Sequence, residues 1–217
     1  MRREAIARVV AAYDDPVTRA YSRARFLILR QRFLDEIGQY LPADGDVLDI
    51  GCGFGLFSLY YAQVHPRARF HGIDTDARRI ERARRAAERL GLDNVDYAVG
   101  DARRFQATAR RLRAVYMLDI VHHIPPERVE PLLRELWQSL TPGGRLVVKD
   151  VDTHPAYKRW FTHVLDRLVS PGGLIHYWPA DRLQDLLERV GFRVHRHLMV
   201  DILPYPHVLY VCGRDTR

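Results

Sequence analysis

The chain has 217 residues, of which 47% are hydrophobic and 28% charged, and its formal net charge is +7. These values exclude a disordered chain and fit one α/β domain with a substantial core, although length alone also allows two small domains. The two cysteines, Cys52 and Cys212, are too few for a disulfide framework and suit the reducing cytoplasm, where we expect the protein to reside.

The positive charge raises the question of a nucleic-acid or membrane partner. Nearly all basic residues are arginines, and they alternate with acids, as they do over residues 78–89. That pattern is typical of a solvated helix face, so we expect no nucleic-acid partner, while peripheral contact with anionic lipid stays open. The sequence offers no run of about 20 apolar residues that would span a bilayer. Residues 1–15 also lack the apolar middle of a signal peptide.

Hydrophobic spacing predicts the order of the elements. Apolar residues recur every three or four positions from about residue 17 to residue 40, which predicts a helix that stops at Pro42. Strands and helices then alternate. The predicted strands are 46–50, 69–74, 95–99, 114–118 and 145–151, and the predicted helices are 56–64, 76–90 and 126–140. We expect Asp76 to cap the second of these helices and Gly91 to end it. Such alternation predicts a parallel sheet covered by helices.

The last third of the chain departs from this alternation. Residues 152–179 form a long connection rich in aromatics, in which we predict a helix over 154–169. We expect this helix and the N-terminal helix to cover an acceptor pocket, although an ordinary packing appendage is the alternative. A helix over 181–190 precedes strands at 192–200 and 207–212. Their connection, around residues 204–206, is too short for a parallel crossover, so this pair must be an antiparallel hairpin.

The predicted fold is therefore an α/β, doubly wound, seven-stranded mixed sheet, mostly parallel with a C-terminal antiparallel hairpin and with helices on both faces. We expect one domain over 1–217. Its predicted parts are an N-terminal helical cap (1–41), a cofactor-binding core (42–151), a lid-like insertion (152–179) and a C-terminal helix with the hairpin (180–217).

The strongest functional signal is the run Asp49-Ile50-Gly51-Cys52-Gly53-Phe54-Gly55. A strand that ends in alternating glycines and opens a helix lets a ligand approach the backbone, and the N–H groups at the helix start favour a negative charge. Asp74 ends the next predicted strand, where an acid can accept both hydroxyl hydrogens of a ribose. Together these features indicate a nucleoside-containing cofactor.

This run is similar to the first motif of the class I S-adenosylmethionine-dependent methyltransferases. A dehydrogenase loop would place two residues between its second and third glycines, whereas this loop has only Phe54, which argues against a nicotinamide-dependent oxidoreductase. Further sequence motifs of the family match in the same order along the chain, at residues 72–74, 100–102, 118–123, 140–144 and 188–192. The similarity covers about residues 40–213.

The resemblance implies S-adenosyl-L-methionine as the cofactor and a set of residues that contact it. The methionine moiety would be lined by the loop residues Asp49, Gly51, Cys52, Gly53 and Gly55; the ribose by Asp74 and Thr75; the adenine by Asp101 and Ala102; and the amino group and sulfonium by Asp119 and Ile120. Taken singly, each glycine has an ordinary turn as its alternative, and each aspartate a helix cap or a solvated strand end.

Methyl transfer is an in-line displacement at carbon, for which the protein mainly supplies alignment and a dry site. A base is needed only for a poor nucleophile such as an alcohol or phenol. His122 and His123 follow the fourth predicted strand and are the candidate catalytic residues, with His123 preferred; their alternative role is hydrogen bonding within a tight loop. Further candidates are Asp150, Asp152, His154, His176, Tyr177 and His207. No spacing resembles a zinc site, so no metal is predicted.

The sequence therefore predicts a methyltransferase that acts on a small, partly apolar or aromatic molecule, with oxygen favoured as the methylated atom. The Asn/Asp-Pro-Pro-Tyr motif of amino-methylating nucleic-acid enzymes does not follow the fourth strand, and the sequence has no Pro-Cys pair. Two alternatives stay open. One is a catalytically silent S-adenosylmethionine-binding protein, and the other is a methyltransferase acting on RNA, which only the charge suggests.

Overall fold

The computed structural model describes residues 2–107, 111–152, 175–199 and 207–215. Within these ranges the helices are α1 (Arg2–Ala12), α2 (Pro16–Ile28), α3 (Arg30–Gly38), α4 (Leu56–Val64), α5 (Ala77–Leu90), α6 (Pro126–Ser139) and α7 (Ala180–Val190). The strands are β1 (Asp44–Ile50), β2 (Arg67–Asp74), β3 (Val95–Val99), β4 (Leu112–Leu118), β5 (Leu140–Val151), β6 (Arg193–Leu198) and β7 (His207–Gly213).

The strands form one seven-stranded sheet in the order β3-β2-β1-β4-β5-β7-β6. Strands β1, β2 and β3 pair in parallel, whereas β7 is antiparallel to both β5 and β6. The predicted mixed sheet with a C-terminal antiparallel hairpin is therefore confirmed. The turn predicted around residues 204–206 lies outside the described residues.

The described residues divide into two compact units. The first runs up to Ala102 and includes Leu112–Val115, and the second takes in the rest. In the first unit, helix α1 packs on α4 and α5, and α5 packs on β2 and β3. Helix α5 begins where the Asp76 side chain accepts hydrogen bonds from the backbone of Arg78 and Arg79, and it ends at Gly91 in the left-handed conformation. Both ends agree with the sequence prediction.

The N-terminal segment differs from the single helix predicted over about 17–40. It contains α1, which the hydrophobic spacing did not indicate, and then two helices that break at Leu29. Leu29 has φ −84° and ψ 7° and is 1% exposed, so its side chain is buried where the helix axis is interrupted. Helix α2 starts at Pro16, because the Asp15 side chain accepts a hydrogen bond from the Thr18 backbone and proline suits the first helical turn.

In the second unit, β7 lies between β5 and β6 in the sheet. Helix α7 packs on α6 and on β6. The helix predicted over 154–169, and with it the proposed lid, falls on residues that the structure does not describe. Among the described helices, none has the length and hydropathy needed to cross a membrane.

Candidate active site

The loop after β1 contains three glycines whose backbone is in the left-handed conformation. Gly51, Gly53 and Gly55 have φ values of 76°, 55° and 76°, which side chains disfavour. The backbone N–H groups of Gly51 and Cys52 both donate to the carbonyl of Ile73, at 2.8 and 3.1 Å. The loop is therefore anchored to the end of β2, next to Asp74.

The glycines serve two different needs. A Cβ atom at Gly55 would lie 2.5 Å from the hydroxyl of Tyr97, so this glycine permits packing against β3. A Cβ atom at Gly53 would meet nothing within 4 Å. The space in front of Gly53 can therefore receive a ligand against bare backbone, as a cofactor-binding loop requires.

Asp74 links the loop to β2 through its carboxylate. Its Oδ2 accepts a hydrogen bond from the Gly53 backbone at 2.9 Å, and its Oδ1 accepts one from the Asp76 backbone at 2.9 Å. A carboxylate oxygen has two acceptor positions, so each oxygen can accept one more hydrogen bond. The half-buried Asp74 is thus oriented and still able to bind a diol, while Thr75 beside it is exposed.

The first unit also holds the other residues expected near adenine and methionine. The Gly100 backbone donates to the Asp74 carbonyl at 3.0 Å, which ties the end of β3 to Asp74. Asp101 follows and is half-buried, and Ala102 starts a short 3-10 turn. Asp49, at the end of β1, is 3% exposed.

Cys52 is a neutral thiol in this environment. Burial raises its pKa well above the ordinary value, and the nearby carboxylates of Asp49 and Asp74 add to the shift. Because the thiolate is the reactive form, a cysteine with a raised pKa is a poor nucleophile. Cys52 therefore contributes packing to the loop and no covalent chemistry.

Residues of the N-terminal segment, Tyr13 between α1 and α2 and Tyr21 in α2, contact the loop, and the sequence did not predict these contacts. The Tyr13 hydroxyl donates to the Phe54 carbonyl at 2.8 Å, and the Tyr21 ring meets the Phe54 ring edge-on with centroids 5.6 Å apart. The guanidinium groups of Arg79 and Arg82 lie 5.5 and 5.7 Å from the same ring centroid. The only available signal was the presence of aromatic residues near the start of a predicted amphipathic helix.

In the second unit, Asp119 adopts a strained backbone at the end of β4. Its φ is 59°, and no other non-glycine residue in the described ranges has a positive φ. Its backbone N–H donates to the Lys149 carbonyl at 2.9 Å, and its carboxylate accepts from Lys149 Nζ at 2.5 Å. Lys149 is 0% exposed, so the ion pair offsets the cost of burying its charge.

His122 and Asp150 form a buried pair next to this turn. His122 Nδ1 lies 2.5 Å from Asp150 Oδ1, and the His122 backbone N–H donates to Asp150 Oδ2 at 3.0 Å. The side chains are 2% and 6% exposed. The structure therefore gives His122 a carboxylate partner.

His123 and the remaining candidates surround this pair. His123 and Ile120 are both half-buried, and the His123 backbone N–H donates to the Ile120 carbonyl at 3.0 Å, which closes a turn. The ring centroid of His123 is 4.1 Å from that of His122. The His176 backbone donates to the His122 carbonyl at 2.7 Å, and the Tyr177 ring stacks on His122 with centroids 5.7 Å apart.

Three further candidates have different positions. Asp152 accepts a hydrogen bond from the Ala180 backbone at 3.2 Å, at the start of α7. His207 is buried in β7, 4% exposed. His154 lies outside the described part of the chain.

Comparison with known proteins identifies the family. A family model described as a methyltransferase domain matches residues 20–197. The chain therefore belongs to the S-adenosylmethionine-dependent methyltransferases, with the class I fold and S-adenosyl-L-methionine as the cofactor of the family.

The relatives differ in what they act on. The chain is 31% identical over 179 residues to a tRNA (guanine-N(7)-)-methyltransferase of Rubrobacter xylanophilus, covering 70% of this chain and 75% of the relative. It is 30% identical over 168 residues to a ubiquinone biosynthesis O-methyltransferase of Cereibacter sphaeroides, covering 70% of this chain and 62% of the relative. This chain thus spans less than two thirds of the second relative.

A solved structure supports the fold alone. An S-adenosylmethionine-dependent methyltransferase from Methanosarcina mazei superposes with a TM-score of 0.67 at 20% identity, covering 84% of this chain and 98% of that one. The architecture is therefore that of the family.

Proposed function

We propose that this protein transfers a methyl group from S-adenosylmethionine to a hydroxyl oxygen of a small, partly apolar or aromatic molecule. The observation that carries the proposal is the open space in front of Gly53, bounded by the Asp74 carboxylate that holds the Gly53 backbone. Bare backbone next to an oriented carboxylate suits an amino-acid tail joined to a ribose.

In this proposal each part of the cofactor has its own residues. Asp49, Gly51, Cys52, Gly53 and Gly55 hold the methionine moiety, Asp74 and Thr75 the ribose, Asp101 and Ala102 the adenine, and Asp119 and Ile120 the amino group and sulfonium. When bound, the cofactor supplies an activated methyl group on sulfur. The chain contributes binding, alignment and exclusion of water.

Two observations support a hydroxyl acceptor. Tyr177 stacks on His122, which offers an aromatic surface beside the buried His122–Asp150 pair. A relative named as a ubiquinone biosynthesis O-methyltransferase shares 30% identity over 168 residues. An alcohol or phenol is a weak nucleophile, and a histidine with a carboxylate partner is the kind of group that such an acceptor needs.

Titration calorimetry tests the cofactor half of the proposal. We expect heat of binding with S-adenosylmethionine and with its demethylated product S-adenosylhomocysteine. A folded protein that binds neither would refute the proposal. Transfer of an isotopically labelled methyl group to a panel of catechols, phenols and hydroxy acids tests the other half. Binding without transfer to any member of the panel would favour a catalytically silent cofactor-binding protein.

RNA methylation is the second candidate, supported by the tRNA-modifying relative and the net charge of +7. The arginines of α5 weaken it, because many already have partners within the protein. Arg82 pairs with Asp15, and Arg89 donates to the Ala12 carbonyl and to Asp14. Incubation with unmodified tRNA and labelled cofactor tests this candidate. Methyl incorporation into tRNA would favour it over the small-molecule proposal.

A further inference from the structure

We propose that the exposed face of α2, together with the groove between α1 and α2, docks the protein on an anionic lipid bilayer. This surface lies outside the residues proposed to bind S-adenosylmethionine, so its role does not depend on the proposed methyl transfer. It gives a location to the peripheral contact with anionic lipid that the sequence left open.

Helix α2 buries its polar side chains and exposes its apolar ones. Thr18 and Ser22 are 1% and 0% exposed, whereas Val17 and Leu27 are 77% and 69% exposed. Tyr21 is also exposed, at 36%. A surface helix ordinarily does the reverse, because burial of apolar area stabilises the fold. Packing within the described part of the chain therefore does not account for the apolar residues on this face.

The apolar residues form one continuous stripe along α2. Their spacing of three and four positions places them on one side of the helix, opposite the buried Thr18, Ser22 and Phe26. The apolar stripe consists of the exposed Val17, Ala20, Tyr21, Ala24 and Leu27 and the half-buried Ile28. Three of the five large apolar side chains that are exposed in the described part of the chain belong to it. Single exposed apolar residues are ordinary, but a contiguous patch marks an interaction site.

The charge around the apolar stripe is positive. Helix α2 carries Arg19, Arg23 and Arg25 and no acidic residue, and residues 2–32 contain eight arginines against three acids. By the helical repeat, Arg19 and Arg23 lie along one border of the stripe and Arg25 along the other. An apolar stripe with basic borders is typical of helices that lie in the interface of an anionic bilayer.

The acids next to α2 in the sequence do not neutralise its arginines. Asp14 pairs with Arg89 at 3.0 Å, and Asp15 pairs with Arg82 at 3.6 Å. Both arginines belong to α5. The charge of Arg23 is therefore available to an anionic surface, and each basic residue near such a surface strengthens binding about fivefold.

Arginines of both helices meet at a groove of about 520 Å³ between α1 and α2. No acidic residue lines this groove, whose lining includes Arg3, Ile6, Val10, Arg19, Arg23 and Phe26. The Nε and Nη2 groups of Arg19 donate to the Tyr13 carbonyl at 3.0 and 2.7 Å, which orients the guanidinium. Guanidinium groups bind phosphate through several N–H donors. The groove therefore suits a lipid phosphate, with apolar side chains available to the carbons next to it.

The same features disfavour two other partners. Nucleic acid would engage the arginines through its phosphates and leave the aliphatic Val17 and Leu27 in water. A second copy of the chain in a twofold dimer would bring the same arginines face to face, where like charges repel. An anionic bilayer matches both parts of the surface, because the apolar stripe enters the headgroup region while the arginines extend to the phosphates.

Sedimentation of the full chain with lipid vesicles tests the proposal. We expect binding to phosphatidylcholine vesicles that contain about one third phosphatidylglycerol, weak binding to pure phosphatidylcholine, and a loss of affinity as the salt concentration rises. Val17→Ser/Leu27→Ser should lower the affinity for the anionic vesicles at least about tenfold. Arg3→Gln/Arg23→Gln should lower it about 25-fold, because two basic residues leave the surface.

Matched controls make the same changes at exposed positions outside α1 and α2. Val99→Ser/Leu198→Ser removes apolar side chains that are 55% and 71% exposed, in β3 and β6. Arg67→Gln/Arg69→Gln removes two exposed arginines of β2. Both controls should bind the anionic vesicles within about twofold of the wild type. Thermal denaturation should show that every variant is folded, since all the changed residues are exposed.

Three outcomes would overturn the proposal. The first is equal vesicle affinity of Val17→Ser/Leu27→Ser and its control. The second is an affinity that depends on the arginines alone, which would indicate adsorption through net charge. The third is a wild-type protein that binds no anionic vesicles at low salt but forms a dimer that Val17→Ser/Leu27→Ser abolishes, which would assign the surface to a second copy of the chain.

Discussion

The Asp74 carboxylate accepts a 2.9 Å hydrogen bond from the backbone N–H of Gly53, the middle glycine of the loop after β1. This bond joins the residue proposed to hold the ribose to the backbone proposed to hold the methionine moiety. The two contacts are therefore parts of one structure. A change at Asp74 alters the loop as well as the sugar site.

The first prediction concerns Asp74→Ala. We expect affinity for S-adenosylhomocysteine to fall more than tenfold, because each hydrogen bond to a charged group contributes about 1.5–3 kcal/mol. The matched control is Asp76→Ala, two residues on, which removes the cap of α5 and should cost about 1 kcal/mol of stability without weakening binding. Calorimetry and thermal denaturation measure the two effects. Unchanged affinity in Asp74→Ala would remove the ribose assignment.

The second prediction compares Gly53→Ala with Gly91→Ala. Both glycines are left-handed, with φ of 55° and 65°, and a Cβ atom at either meets nothing within 4 Å. Each substitution should therefore cost about 1–2 kcal/mol in backbone strain. Only Gly53→Ala should also block the cofactor, lowering affinity at least tenfold. Equal binding by the two variants would show that the space at Gly53 is not used.

The features that the sequence predicted are those set by local chemistry. Asp76 caps a helix and Gly91 ends it because their effects reach only a few residues. The glycine loop was recognisable because its left-handed backbone requires glycine at particular positions. The alternation of strands and helices likewise follows from hydrophobic spacing, and it gave the correct fold class.

The features that could not be predicted from the sequence are pairings between residues far apart in the chain. Lys149 reads as one lysine in an apolar strand, and only the packing of the strands shows that it meets Asp119, 30 residues away. His122 and His123 are equivalent in sequence, and only the backbone turn decides that His122 reaches Asp150. The break at Leu29 is similar, because a buried leucine is compatible with one continuous helix or with two.

The third prediction concerns the Asp119–Lys149 pair. Asp119→Asn preserves shape and tolerates the left-handed backbone, but it leaves a fully buried lysine beside a neutral partner. We expect a loss of about 3 kcal/mol in the free energy of unfolding. The control, Lys149→Met, leaves an Asp119 side chain that is 21% exposed and can reach water, so its loss should be clearly smaller. Urea denaturation would contradict this account if Lys149→Met were the more damaging change.

The fourth prediction tests the contact between Tyr13 and the loop. Tyr13→Phe removes the bond from the hydroxyl to the Phe54 carbonyl, and Tyr61→Phe removes a similar bond to the Leu34 carbonyl. Both tyrosines are 1% exposed, so each variant should lose about 1 kcal/mol of stability. Only Tyr13→Phe should weaken S-adenosylhomocysteine binding, by a few-fold, since only it releases the loop. Identical affinities, measured by calorimetry, would show that the Tyr13 hydroxyl does not position the loop.

The fifth prediction is a loss of stability in alkali. Burial raises the pKa values of Cys52, Tyr61 and Tyr97 well above their ordinary values, with the charge of Asp49 adding to each shift. In the unfolded chain these groups release protons near pKa values of about 8.5 for cysteine and about 10 for tyrosine. The folded protein then holds more protons than the unfolded chain, so the free energy of unfolding falls as the pH rises above about 8.5.

Urea denaturation across this range measures the effect, and Cys52→Ser provides its control. Serine does not titrate, so this variant should lose less stability than the wild type between about pH 8 and about pH 9.5. The decline that remains in the variant should come from Cys212, whose pKa burial also raises, and from the buried tyrosines. Well below these unfolded-state pKa values the same groups are protonated in both states, so they contribute no pH dependence there. A wild-type stability that stays constant into the alkaline range would mean that the Cys52 thiol and the two tyrosine hydroxyls ionise as easily in the folded protein as in water.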